Sequence, residues 1–270
     1  MKKNTQIAVA VVAVVVILGG LAAYFLWQPA PPKPAPVQVK APPPLPPSPP
    51  KPEVRQVLEA PTAPPPLPAL ADSDRFMLDA LTGLVGNKSL MKFFHTERII
   101  RNIVATIDNL PRRRAPMSVM PVERAPGQFI IAGTEDDPTI SPKNAARYTP
   151  YVRIAEAIDA KKLVGLYVRL YPLFQQAYEE LGYPKKYFND RLVVAIDNLL
   201  AAPDIKEPVK LVRPSVFYKY ADPDLEERSI GQRILMRTGS RNEAIIKDKL
   251  REIKQELLLH MREKKVEVAG

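Results

Sequence analysis

The side chains able to do chemistry are few and mostly of one kind. There is no cysteine, and the two histidines, His95 and His260, lie far apart. Thiolate nucleophiles, disulfides, iron–sulfur clusters and Cys/His metal centres therefore drop out. No Gly-x-x-x-x-Gly-Lys-Ser/Thr phosphate loop, Gly-x-Ser-x-Gly elbow or His-Glu-x-x-His helix occurs. What remains is carboxylates. Glu179, Glu180, Asp190 and Asp197 include, in principle, an acid and a base for glycoside cleavage, but no spacing singles out a pair. The sequence predicts no catalytic set, no metal site and no cofactor.

Patterns suited to binding are clearer. Seven of the ten tyrosines fall between Tyr148 and Tyr187. Tyr167, Tyr171, Phe174 and Tyr178 recur at i, i+4, i+7 and i+11, which places them on one helix face. Such a stripe is either core or a stacking groove with Gln175, Gln176, Asn189 and Asp190 as hydrogen-bonding neighbours. Tyrosine suits both, since it buries a large ring while its hydroxyl finds a partner. The candidate partner-binding residues are Tyr148, Tyr151, Tyr171, Gln175, Tyr178, Asn189, Asp190 and Arg191. A second pattern is an echo: Ile-Asp-Asn-Leu occurs at Ile107–Leu110 and again at Ile196–Leu199. If the segments pair, Asp108, Asn109, Asp197 and Asn198 form a polar cluster; otherwise they serve as caps and as ion pairs with Arg101 and Arg191. The Arg112-Arg-Arg114 run suits either an anionic partner or plain solvation.

The elements that must position these residues read as mainly α, a helical globular domain over 69–270 with a few short β pieces. Asp72-Ser-Asp74 can cap a helix bearing Phe76, Leu78, Leu81 and Leu84, and Asn87 can open a short one through Phe94. From Thr96, the residues Ile99, Ile100, Ile103, Val104, Ile107 and Leu110 recur at helical spacing up to Pro111. Residues 111–141 read as loop with a weak hairpin of Val119–Val122 and Gln128–Ala132. Ser141-Pro142 and Thr149-Pro150 each look like a cap before a first-turn proline. Asp159 caps Ala160–Leu181, which Gly182 closes and Pro172 should kink or divide. Pro184 opens a helix through Ala202, and Val209–Val212 and Val216–Tyr220 suggest short strands. Asp222-Pro223 restarts helix, and Ser240-Arg-Asn-Glu243 has the capping-box pattern of a final helix to about Lys264.

The front of the chain is different. Residues 7–27 carry no charge and are largely aliphatic, the ~20 residues that a helix needs to cross a bilayer. Lys2 and Lys3 precede them, and Tyr24 and Trp27 stand at the far end. A cleaved export signal would have about 7–15 apolar residues and a small-x-small finish, whereas Leu21-Ala-Ala runs into Tyr24-Phe-Leu-Trp27. The expectation is a single-pass anchor with 1–6 a cytoplasmic tail and the C-terminal domain exported, which for a bacterial chain means the inner membrane and a periplasmic domain; Lys33 and Lys40 beyond the span leave a cytoplasmic body as the other orientation. The chain holds 31 prolines in 270 residues, about twice the average usage. Many sit in 28–68, around Ala41-Pro-Pro-Pro-Leu-Pro-Pro-Ser-Pro-Pro50. Such a stretch favours solvated polyproline II, a spacer rod of at most roughly 120 Å at ~3.1 Å per residue; a ligand for proline-recognising domains is the other reading. Over 69–270 there are 33 Lys and Arg against 27 Asp and Glu. So dispersed an excess, on an exported domain, gives no reason to expect nucleic acid.

Several motifs then coincide: Ala146-Arg-Tyr148-x-Pro-Tyr151, Leu170 through Pro184, Tyr187-Phe-Asn-Asp-Arg191, Leu211-Val-Arg-Pro214 and Gly231-Gln232. Together they make the chain resemble domain of unknown function 3014 over roughly 69–255. The resemblance implies a bacterial membrane-tethered helical module with no assigned activity, and it transfers no catalytic residue. The expected function is a membrane-anchored periplasmic interaction module that docks an unknown envelope protein or cell-wall component at a distance from the inner membrane. A carboxylate-based cell-wall glycan hydrolase and an envelope-spanning force or signal tether are the alternatives.

Overall fold

The structure, a computed structural model, describes residues 66–85, 95–114, 127–205, 208–214 and 217–269. The expected tail 1–6, the anchor 7–27, nearly all of the spacer, the 87–94 helix and the 119–122 strand piece lie outside the described residues. Within them the protein is mainly helical. Eight α-helices run in chain order: α1 Ser73–Val85, α2 Ile99–Asn109, α3 Asn144–Ala157, α4 Ala160–Glu180, α5 Phe188–Leu200, α6 Pro223–Glu226, α7 Ile230–Met236 and α8 Ser240–Ala269. None of them is long and apolar enough to cross a membrane.

The core forms where apolar stripes meet. α8 lies against α3, α4 and α5, and α2 packs on α4 and α5. Ile99, Ile100, Ile103, Val104 and Ile107 of α2 are buried, as are Ile246, Leu250, Ile253 and Leu257 of α8. That is the 3.6-residue period made physical. Two hairpins flank the bundle: β1 Ile131–Gly133 pairs antiparallel with β2 Pro138–Ile140, and β3 Leu211–Val212 with β4 Lys219–Tyr220. The Ile140 amide donates to the Val209 carbonyl at 2.9 Å and joins them.

Several expectations need correction. Thr149-Pro150 does not start a helix, because α3 runs straight through it; likewise α4 continues through Pro172. Both prolines are exposed, so water can satisfy the carbonyl that each leaves without a donor, and the missing bond does not divide the helix. Pro184 lies in a turn, and α5 begins only at Phe188. The hairpin strand 131–133 pairs with 138–140, at the end of the segment read as loop. Ser240 is the first residue of α8 rather than its cap, and Glu243 is buried and pairs with Lys247 at 2.8 Å. Finally, Asp74 caps a different helix. Its carboxylate accepts from the Arg98 and Ile99 amides at 2.6 and 2.8 Å, so α1 holds the start of α2.

Candidate functional site

The end of α4 builds the most distinctive corner. Gly182, at φ +115°, lets the chain leave the helix in a left-handed turn. The Gly182 amide then donates to the Glu179 carbonyl at 3.0 Å and the Tyr183 amide to that of Tyr178 at 3.3 Å. This cap brings the third-last helical residue against the second residue beyond the cap, and here both are tyrosines. The Tyr178 and Tyr183 rings stack with centroids 4.6 Å apart. Behind them Tyr167, Phe174 and Tyr178 surround Phe188, with Phe174 and Phe188 stacked at 5.8 Å. Aromatic contacts of this kind contribute about 0.5–1.5 kcal/mol each beyond their buried area. Most of the tyrosine stripe is therefore core.

Polar groups lock the corner. The Gln175 carboxamide oxygen accepts from the Phe188 amide at 2.8 Å and from the Tyr171 hydroxyl at 3.0 Å, while its nitrogen donates to the Lys186 carbonyl at 2.8 Å. Gln175 thus caps α5 from α4, satisfying an amide that has no partner in its own helix. Asn189 accepts from the Tyr167 hydroxyl. Burial, with the Tyr171 ring beside it, pushes the Tyr167 phenol well above its ordinary range. Burial and then Asp190 raise Tyr171.

On the outer side, Asp108 at the end of α2 is 4% exposed and is gripped by two arginines. Arg191 Nε lies 2.9 Å from Oδ1, and Arg112 Nη2 lies 2.5 Å from Oδ2. Arg112 Nη2 also donates to the Tyr183 hydroxyl at 2.7 Å, and Arg191 donates to the Asp108 carbonyl. Burial works against the Arg112 charge, but Asp108 and Tyr183 outweigh it and hold its pKa above the ordinary value. The Tyr178 phenol is raised by burial and then by Asp108. Beside this cluster opens a surface pocket of about 650 Å³, lined by Asp108, Arg112, Tyr178, Tyr183, Lys185, Lys186, Tyr187, Asp190, Arg191 and Val194. Tyr187 is 67% exposed and Val194 48%.

The eight candidate residues are thus distributed unevenly. Tyr178, Asp190 and Arg191 line the pocket. Gln175 and Asn189 join α4 to α5 next to it, and Tyr171 bonds Gln175 from within α4. Tyr148 and Tyr151 are buried on α3. The sequence offers Arg101 and Arg191 as ion-pair partners for the echoed aspartates; Arg191 does pair with Asp108, but Arg101 pairs with Glu180 and Asp197 with Lys254. Tyr183, Lys185, Lys186, Tyr187 and Val194 are not among the sequence candidates, and Arg112 stands there only in a charged run. A glycine two places past the last helical residue with aromatics on either side, Tyr178 and Tyr183, is the signal that could have found the corner. The arrangement offers charge and apolar contact, and both Asp108 oxygens are occupied by guanidinium groups. Among the described residues no three His, Cys, Asp or Glu side chains converge as a metal site.

No curated protein matches the chain, and no solved structure does either. A family model described as protein of unknown function (DUF3014) matches residues 99–254. The match begins at the first residue of α2, ends within α8, and encloses the whole pocket, so that by its own helical body the chain belongs to the DUF3014 family.

Proposed function

We propose that the protein is an interaction module of a bacterial inner membrane: residues 7–27 anchor it, 28–68 hold the helical domain away from the bilayer on the periplasmic side, and the α4–α5 corner docks a protein or cell-wall partner. One observation carries the docking part. An exposed tyrosine and an exposed valine stand beside four cations on a backbone made rigid by a buried aromatic cluster. Apolar groups exposed together and rimmed by charge suit a docking surface. The carboxylates support binding over hydrolysis, since Asp108 is spanned by Arg112 and Arg191 and only Asp190 remains in the pocket.

The test is a photoreactive phenylalanine analogue at position 187 of the full chain in intact cells. The docking reading expects a discrete cross-linked product that disappears with Val194→Glu, and none from a control at exposed Leu259. No product at 187 would overturn it. Anchor and orientation are checked separately. Carbonate washing should leave the chain with membranes, and protease added to spheroplasts should digest its C-terminal domain; a protected domain contradicts the orientation.

A further inference from the structure

The same pocket also indicates the chemistry of its occupant. We infer that it takes an acidic peptide segment of a protein partner, with apolar side chains among the carboxylates; this rests on the docking reading above. Charge comes first. Arg112, Lys185, Lys186 and Arg191 stand against Asp108 and Asp190. Asp108 is already engaged by the two arginines, while Lys185 and Lys186 are exposed and make no ion pair among the described residues. An anionic visitor therefore meets unneutralised ammonium groups, which favour its approach and fix its register.

The apolar rim comes second. Tyr187, the residue before α5, lines the pocket together with Arg191 and Val194 of α5, so ring, cation and isopropyl group border one surface. A partner must cover Val194 with something that has no use for water.

The third point separates a peptide from a glycan. Sugar hydroxyls are read by neutral amides and carboxylates, and the amides at this corner are already used by the fold. Gln175 serves Tyr171, Lys186 and Phe188, and Asn189 serves Tyr167. A sugar finds the Tyr187 ring to stack on, but for its hydroxyls mainly cations and Asp190, and nothing that matches the exposed valine. A glutamate- and leucine-bearing peptide uses all of it.

The experiment uses the full chain in detergent micelles and fluorescence anisotropy of a labelled peptide of repeated Glu-Leu-Glu-Phe units. The lysine-for-glutamate peptide and soluble peptidoglycan fragments serve as competitors. Saturable binding of the glutamate peptide is expected, weakened about tenfold by Val194→Glu or by Lys185→Glu with Lys186→Glu and falling as salt rises. These positions are solvent-exposed, and unchanged circular dichroism confirms folding. Equal affinity for the lysine peptide, or displacement by peptidoglycan fragments, overturns the inference. The cross-linked product at position 187 keeps the two readings apart. A protease-sensitive adduct with an acidic segment supports the peptide; a muramidase-sensitive adduct overturns the peptide and leaves docking standing; no adduct removes docking itself.

Discussion

The tetrapeptide Ile-Asp-Asn-Leu occurs twice, and its two copies do opposite things with the same side chains. At the end of α2, Asp108 is buried between Arg112 and Arg191 and forms the floor of the pocket. Near the end of α5, Asp197 is half exposed and pairs with Lys254 of α8. Asn109 bonds back to the Ala105 carbonyl one turn earlier, whereas Asn198 reaches out, accepting from the Ser229 hydroxyl at 2.6 Å while its carbonyl accepts from Gln232 at 2.7 Å. The apolar residues agree: Ile107 and Ile196 are both buried. Leu110 and Leu199 are both buried and converge on Gly231 of α7, where an added Cβ would come within 2.8 Å of Leu199 Cδ2 and 3.0 Å of the Leu110 carbonyl oxygen. Identical residues acquire different roles from what packs against them, so the motif predicts helix ends and leaves function to the neighbours.

Four substitutions sharpen that contrast, measured by urea unfolding of each variant. Asp108→Ala removes the anion between two partly buried guanidinium groups and should cost about 3 kcal/mol, the low end for a broken buried pair because Arg112 is half exposed. Gly231→Ala should cost about 2 kcal/mol, since the backbone carbonyl it meets cannot swing aside. Asn198→Ala removes the acceptor of the Ser229 hydroxyl, while the backbone carbonyl of residue 198 still accepts from Gln232, and should cost about 1 kcal/mol, with Ser229 at the N-cap of α7 loosened. Asp197→Ala should cost under about 1 kcal/mol, and less in high salt, as exposed ion pairs do. Equal losses for the two aspartates would erase the distinction between the copies.

Much of the helical layout was legible because apolar spacing survives in any context: α2, α4, α5 and α8 all lie where the periodicity put them. The Asp159 cap was legible too, since its target is the Lys162 amide three residues on. What escaped was set by distant partners. Asp74 caps a helix whose first residue is 25 positions away, and Gln175 caps one 13 positions away. No local pattern carries that information. Pro150 misled, and Pro172 failed to divide α4, for the converse reason: the local rule was sound, but both prolines face solvent, where water can satisfy the missing bond. Of the candidate site, the aromatic part was visible as spacing, and the Asp108 ion pair only as the expectation that the echoed aspartates meet Arg101 or Arg191. The exposed rim of Tyr187 and Val194 was not, because alternation along α5 alone does not say which apolar residues the core leaves uncovered.

The central claim is that the α4–α5 corner is covered in the cell and bare in isolation. It is tested most directly by the lysine reactivity of the full chain toward a membrane-permeable acylating reagent, read residue by residue by mass spectrometry, in intact envelopes and after purification. The account predicts that Lys185 and Lys186 are slow in the envelope and become fast on purification, while exposed Lys161 and Lys219 react alike in both. Equal rates at Lys185 and Lys186 in the two preparations would contradict it.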